Sequence, residues 1–356
     1  MKPANVLIII IDCLRYDRVS PQYMPWLYEF GQQNTWFSNY WSTSHCTDPS
    51  ITSLLNGRWP DELKLYSMMF ESYDYSIPLG VEMLPQTAKK HGYETGTLSN
   101  LGRWYTWGVD RYVNTRGWHG SDIFKYADSI MSVMKQPWLM IVHDDSCHTN
   151  YRGGSYDQAC REVDSDLEWL IGRVLKHQQW TDNTFVIVTA DHGEGLGERG
   201  IDQHGRGLWP FLTHVPLIIR QPRVAKALSV YDGIVQPVNM HGFMVNCMSI
   251  APEAWPPGMN VDKNGYAHMV GRDPKVWNRG VTNGKHMVIK RQEVGGPTTM
   301  FYLDIASDQL LEPDDRYYEM WHYAQEHAAQ FGIDAGNDSL DDEILEARLK
   351  GLGYFD

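Results

Sequence analysis

The chain has 356 residues, 42% of them hydrophobic and 21% charged, enough to bury the core of one large α/β domain, alone or with a small second domain. Its formal net charge of -13 disfavours nonspecific binding to nucleic acid, because a phosphate backbone repels an acidic surface. The 14 tryptophans and 20 tyrosines supply aromatic mass, first for packing and second for lining a substrate cleft.

Met1–Asn5 leads directly into Val6–Ile11, a short apolar run that ends in Asp12. The run is too short to span a membrane and lacks the small-residue cleavage signature of a secretory leader, so it reads as a buried parallel strand. Pro25–Phe30 begins a short helix, and Asp48-Pro49-Ser50 opens another with proline in its first turn. Leu84–His91 is a helix that Gly92 stops, and Tyr93–Leu98 a strand. Trp138–Val142 is a buried strand. Tyr156–His177 carries Val163, Leu167, Leu170, Ile171 and Val174 at the spacing of a long amphipathic helix. Thr184–Thr189 and Val215–Ile219 are further buried strands. This alternation predicts an α/β fold with a mostly parallel central sheet sandwiched by helices.

From about Asn260 the pattern changes. Lys285–Lys290 and Thr299–Leu303 are strand-like, with a tight turn expected at Gly295-Gly296-Pro297, and an acidic helical tail follows. The expected division is a large α/β domain over residues 1–259 and a small C-terminal α+β subdomain over 260–356. Cys13, Cys46, Cys147, Cys160 and Cys247 are odd in number, widely spaced and without a CxxC pair. That spacing argues against a disulfide framework or structural zinc site and suits a reducing, cytoplasmic home.

Ligands of open α/β sheets gather at the carboxyl ends of strands. Asp12 ends the first strand, His143-Asp144-Asp145-Ser146-Cys147-His148 follows Trp138–Val142, and Asp191-His192-Gly193-Glu194 follows Thr184–Thr189. One Asp after a strand is more often a cap or turn former, but acidic and imidazole groups after three strands at one edge call for a cation. Mixed Asp and His ligands fit a divalent metal. Thr47 stands just before a helix start, where backbone amides and the helix dipole favour an anion. A metal beside it would make its hydroxyl a nucleophile, whereas alone it would serve only as an N-cap.

Taken together, these segments resemble the sulfatase family of the alkaline phosphatase superfamily. Asn5–Asp17 is similar to its opening N-V-L-x-I-x-x-D-x-L-R-x-D strand, and Met24–Ser42 to the helix and strand that follow. Thr47-x-Pro49-Ser50 with Ser53-Leu54-Leu55-x-Gly57 resembles the C/S/T-x-P-S nucleophile segment. Thr189–Gly200 resembles the D-H-G-E segment and His214–Arg220 the R-V-P-L-I-I-R strand. Tyr302-Leu303-Asp304 and Asp314-Asp315 resemble a late L-Y-D-L segment, and Arg348–Tyr354 the L-K-x-L-G-Y ending. The chain also departs from the pattern. Where many sulfatases carry C-x-P-S-R, whose Cys becomes formylglycine, this chain has Thr47; Cys46 is one residue out of register and Ile51 replaces the Arg. Asp12-Cys13 replaces an Asp-Asp pair, and a family Asp before the strand-end His is Ser146.

The resemblance implies a metal-dependent hydrolase of phosphate-type or sulfate-type esters with a Thr nucleophile. Asp12, Thr47, Asp191 and His192 would hold one divalent cation, manganese or zinc rather than calcium, since a carboxylate is lost. Thr47, His148 and His204 would be catalytic, and Arg15, His148 and His204 would bind substrate, with Arg15 alternatively bracing the nucleophile loop. A second metal would require Asp144, His148 and His204 to converge. The expected partner is a small anionic ester, with no nucleic acid and no membrane span, and a homo-oligomer is allowed. The competing readings are a phospho-group transferase of the same superfamily and a binding module that kept the fold without activity.

Overall fold

The structure, a computed structural model, describes residues 3–66, 77–78, 80–118, 120–148, 154–223, 230–249, 265–273 and 275–333. Its centre is β1 (Asn5–Ile11), every residue of which is buried. Such a strand needs cover on both faces, as parallel strands do. It pairs in parallel with β5 (Trp138–Asp144) on one side and β6 (Thr184–Thr189) on the other. β3 (Glu94–Ser99) and β4 (Arg111–Asn114) extend the sheet beyond β5, and β9 (Leu217–Arg220), β2 (Thr35–Phe37) and β10 (Val230–Tyr231) extend it beyond β6. The order is β10-β2-β9-β6-β1-β5-β3-β4. The strand expected at Val215–Ile219 is β9, and it runs antiparallel to both neighbours.

Two groups of helices cover this sheet. α1 (Pro25–Gln33), α5 (Gly120–Val133) and α6 (Tyr156–Lys176) pack together, as do α2 (Thr47–Asn56), α4 (Leu84–Lys90) and α8 (Pro237–Ser249). α3 (Pro60–Leu63) and α7 (Pro210–Thr213) are single turns, and β7 (Gly195–Leu196) pairs with β8 (Asp202–Gln203) in a small ribbon. No helix among the described residues is long and apolar enough to cross a membrane. All five cysteines are buried and unbridged.

A second, antiparallel sheet follows, in the order β11 (Ala267–Asp273), β12 (Val276–Thr282), β13 (His286–Glu293), β14 (Thr298–Asp304) and β15 (Gln309–Leu310). Its two faces alternate as strand geometry requires. Val281, Val288 and Tyr302 pack under α9 (Asp315–Ala329) with Tyr317 and Met320. Met269, Met287, Ile289 and Leu303 pack the other way, against Trp41, Leu208 and Trp209. Gly295 takes a left-handed φ of 66° in the turn between β13 and β14, where the glycine pair was expected to turn the chain. Asp314 caps α9, its carboxylate accepting from the Tyr317 amide. The Arg348–Tyr354 segment lies outside the described residues.

The register places the chemistry. Ile10 lies beside both His143 and Thr189. Asp12, His143 and Asp191 therefore leave three adjacent strands at the same edge.

Candidate active site

Just past β1 the chain turns sharply. Cys13 adopts a left-handed φ of 66°, a strained conformation for a residue with a side chain. The turn is held on both sides: its amide donates to Asp191 Oδ1 at 3.2 Å, and its carbonyl accepts from the Tyr156 hydroxyl at 2.7 Å. The Asp12 amide donates to the Asp144 carbonyl at 2.8 Å. The Asp12 carboxylate is thereby fixed with Oδ1 at 3.7 Å from His192 Nε2 and Oδ2 at 3.6 Å from His143 Nε2. Asp191 Oδ2 lies 3.4 Å from His192 Nε2.

The tautomer of His192 follows from its surroundings. Nδ1 lies 2.9 Å from the Gly193 carbonyl, which can only accept, so Nδ1 carries the hydrogen. Nε2 then presents a lone pair toward Asp12, Asp191 and Thr47. Burial, with His204 nearby, holds the His192 pKa well below the usual imidazole value, which keeps that lone pair available.

Thr47 is the first residue of α2, with Cys46 at the cap, Asp48 in the first turn and Gly57 ending the helix at φ 72°. Thr47 Oγ1 lies 3.2 Å from His192 Nε2. Cys46 does not face this cluster; its Sγ contacts Ser44 Oγ at 3.7 Å and the Tyr66 carbonyl at 3.9 Å. Ser50 meets Ser42 Oγ at 2.8 Å, and Ser42 in turn donates to the Asp191 carbonyl. α2 is thus tied to the loop that carries Asp191 and His192. Arg103 reaches Asp48 at 3.6 Å and Tyr105 Oη donates to it at 2.9 Å, so a second loop packs on the same helix start.

The structure brings Asp12, Thr47, Asp191 and His192 together, with His204 beside them. The His204 and His192 rings are 4.6 Å apart and the His148 and His204 rings 4.8 Å apart. His204 Nδ1 lies 3.2 Å from Glu194 Oε1, and burial lowers the His148 pKa. Arg15 sits differently. Its guanidinium is engaged with Asp17, Glu198 and the Glu194 carbonyl, and it lies over the Phe211 ring, which is the geometry of a loop brace. Asp144 also turns aside, its carboxylate accepting from the amide and hydroxyl of Ser146. It belongs to none of the metal-capable groups among the described residues, so the Asp144, His148 and His204 convergence does not form.

Sequence reasoning gave no role to four neighbours, although two of them, His143 and Glu194, stand in the strand-end clusters it singled out. Cys13 groups with Asp12 and His148, and again with His192 and His204, at metal-ligand spacing. Its register, in place of a second Asp, was the available signal. His143 and Glu194 each end or follow a strand, and His45 precedes Thr47 by two residues. Burial holds His45 at a pKa of about 3 and His143 at about 4, so both are neutral near pH 7.

Whether these residues suit a cation is decided by their unmet valences. Asp12 Oδ1, Asp191 Oδ2, Glu194 Oε2 and His143 Nε2 are buried without a hydrogen-bond partner. Asp12, Asp191 and His192 each offer a ligand atom, all within 4.8 Å of one another. Burial and the charge of Asp191 push the Asp12 pKa well above the carboxylate range. Stacked, unpaired anionic oxygens are costly, and a divalent cation is the group that satisfies them. The residues fit.

His45 is held from the opposite side by Gly271 of β11, where a side chain would overlap the imidazole. Gly271→Ala is therefore expected to displace the loop before Thr47 and cut turnover by roughly 100-fold, since even about 1 Å of misplacement at a reacting group costs that much. Gly280→Ala, whose Cβ would meet only a terminal methyl of the Leu208 side chain at 3.3 Å, is the control expected to stay near wild type. Steady-state kinetics beside thermal unfolding separates the two; equal losses would sink the loop account.

A family model described as Sulfatase matches residues 4–250. An uncharacterized sulfatase of Escherichia coli (strain K12), YidJ, is 36% identical over 66 residues, which is 18% of this chain and 13% of that protein. An uncharacterized protein of Haemophilus influenzae is 21% identical over 255 residues, so this chain spans well under half the length of either curated relative, 13% and 40%. The fold recurs in a protein solved with its substrate D-glucosamine-2-N,6-O-disulfate, with TM-score 0.76, 14% identity, and coverage of 96% of this chain and 100% of the other. It recurs also in a phosphonate monoester hydrolase of Silicibacter pomeroyi, with TM-score 0.69, 14% identity, and coverage of 94% and 96%.

Proposed function

The chain belongs to the sulfatase family, and from that premise we propose that it is a metal-dependent hydrolase of anionic esters that uses Thr47 as nucleophile. The observation that carries the proposal is the position of Thr47 Oγ1, at the first residue of a helix and 3.2 Å from the lone-pair nitrogen of His192, beside the unpaired oxygens of Asp12 and Asp191. Asp12, Asp191 and His192 would hold the cation with the Thr47 oxygen at its edge. Manganese or zinc suits this mixed set, and the nearby Cys13 thiol adds a soft donor that calcium does not favour. A divalent ion there would lower the pKa of the Thr47 hydroxyl and offset the charge of the ester.

Thr47 Oγ1 attacks the phosphorus or sulfur, the ester oxygen leaves with a proton, and water then cleaves the Thr47 ester to restore the hydroxyl. Asp191 and His192 orient Thr47 through the bonds to Cys13, Gly193 and Ser42 already described. His148 and His204 stand at the mouth of the cluster, where an imidazole can donate to a non-bridging oxygen or to the leaving group. Two structural neighbours take a phosphonate monoester and a disulfated glucosamine, substrates that share a tetrahedral anionic centre. The proposal extends that chemistry to this chain.

The test is a screen of para-nitrophenyl phosphate, its diester, an aryl phosphonate ester and para-nitrophenyl sulfate, with metal-stripped protein reloaded with Mn, Zn or Ca. Turnover of at least one ester, greater with Mn or Zn than with Ca, is expected. No turnover of any ester with any metal would leave the inactive binding module. On the productive ester, His148→Ala and His204→Ala are each expected to lose about 100-fold in turnover while keeping the metal. Loss of a metal equivalent instead would reassign them as ligands.

A further inference from the structure

The chemistry proposed above leaves His143 without a task, although it stands at the reactive edge. β3 and β5 pair in parallel with Leu98 beside Val142, so Ser99 and His143 leave the sheet as neighbours. Both are buried. The backbone around Ser99 is pinned in place. Its carbonyl accepts from the Thr115 amide at 3.1 Å, and the Tyr112 hydroxyl lies 3.3 Å from that carbonyl and 2.6 Å from the carbonyl of Leu101.

This frame fixes the imidazole. Ser99 Oγ accepts from the Leu101 amide at 3.0 Å and lies 3.3 Å from His143 Nδ1. Among the described residues the Ser99 hydroxyl hydrogen has no other acceptor, so it is donated to Nδ1. The hydrogen of the neutral ring then sits on Nε2, and a protonated ring carries one there in any case. Nε2 lies 3.6 Å from Asp12 Oδ2 and makes no hydrogen bond at that distance. An approach of roughly half an ångström turns the contact into a charge-assisted hydrogen bond. The other oxygen of Asp12, Oδ1, faces His192 Nε2 at 3.7 Å, on the side of Asp191 and Thr47. The two carboxylate oxygens are therefore committed to different neighbours.

We propose that His143 is a positioning residue for the cation site: its Nε2 hydrogen holds Asp12 Oδ2, which leaves Asp12 only Oδ1 for the cation and biases the site toward zinc over calcium. Zinc is satisfied by about four ligands, with one oxygen from a carboxylate. Calcium takes about six to eight oxygens and often both from one carboxylate, so a carboxylate tied by its second oxygen serves it poorly. The inference rests on the cation reading of Asp12, Asp191 and His192, and it does not depend on ester turnover.

Competition of the metal-free full chain with a fluorescent chelator, for zinc and for calcium, tests it. His143→Leu keeps the bulk and removes the donor; it is expected to weaken zinc at least about tenfold, as loss of a hydrogen bond to a metal ligand does, and to change calcium less than about twofold. His143→Gln, whose amide can donate from near the Nε2 position, is expected to stay within about threefold of wild type for zinc. Ser99→Ala deletes only the hydroxyl that fixes the ring and is expected to weaken zinc about threefold or more, which keeps the test decisive even where His143→Leu does not fold. Circular dichroism of the metal-free variants reports folding. The proposal is overturned if His143→Leu or Ser99→Ala, folded, binds zinc as wild type does. It is also overturned if zinc and calcium weaken equally, or if His143→Gln loses as much zinc affinity as His143→Leu, the result expected of a direct ligand or of packing alone. Wild-type protein that binds neither ion would overturn it together with the cation reading, whereas wild-type zinc binding with unchanged variants would count against His143 alone. The expected affinities without turnover of any ester would support the role of His143 and count against the hydrolase reading.

Discussion

Thr47→Ala is expected to lose turnover by about three orders of magnitude or more while the protein stays folded, as removal of a nucleophile does elsewhere. The helix should survive, because its cap is Cys46, its first-turn proline and its Gly57 terminus are untouched, and alanine is a good helix former. The substitution removes the hydroxyl facing His192 Nε2 and one buried methyl group, too little to unfold the domain. Single-turnover mass spectrometry on wild type should find the added phosphate or sulfate on the peptide holding Thr47. Cys46→Ala should keep most activity, since the Cys46 thiol lies toward Ser44 and Tyr66. An active Thr47→Ala protein with a dead Cys46→Ala protein would overturn the assignment, and so would a formylglycine at Cys46.

Asp191→Asn is the second large effect. The asparagine oxygen can keep the place of Oδ1, accepting from the Cys13 and His192 amides at 3.2 and 2.9 Å, so the loop should hold its shape. The other atom changes from an unpaired anionic oxygen to a nitrogen that donates and does not coordinate, 3.4 Å from His192 Nε2 before any relaxation. Bound metal is expected to fall from roughly one equivalent to less than about a tenth, and turnover with it. Elemental analysis of the purified variant beside wild type, with circular dichroism for folding, decides the point. Equal metal content in both proteins would remove Asp191 from the ligand set.

Much of the fold was legible in the sequence. Val6–Ile11, Trp138–Val142 and Thr184–Thr189 are so apolar that only a strand buried on both faces accommodates them, and each is one. Their polar endings, Asp12, His143 and Asp191, announced the reactive edge. The direction of β9 was not legible, because a buried strand has the same composition whichever way it runs. β11 and β12 were missed for a related reason. Their sequences, Ala267–Asp273 and Val276–Thr282, carry Gly271, Asn278 and Arg279 where a strand pattern would place apolar residues. Two of these have a tertiary explanation: Gly271 yields to His45, and Arg279 makes a buried ion pair with Asp61 at 2.7 Å.

The sequence by itself determined the fold class and the sheet edge, because strand burial and strand-end polarity are local properties written along the chain, whereas Asp12, Thr47, Asp191 and His192 were singled out as a set by the family resemblance. Tertiary structure alone decided which way each side chain turns. Arg15 and Asp144 stood in the right segments, but hydrogen bonds to Asp17, Glu198 and Ser146 draw them aside. Cys13, His143, Glu194 and His45 come to the centre because parallel pairing aligns β1, β5 and β6 and because β11 backs the loop before Thr47. Those contacts join residues up to 226 positions apart, from His45 to Gly271, and packing of that range has no signature in local spacing.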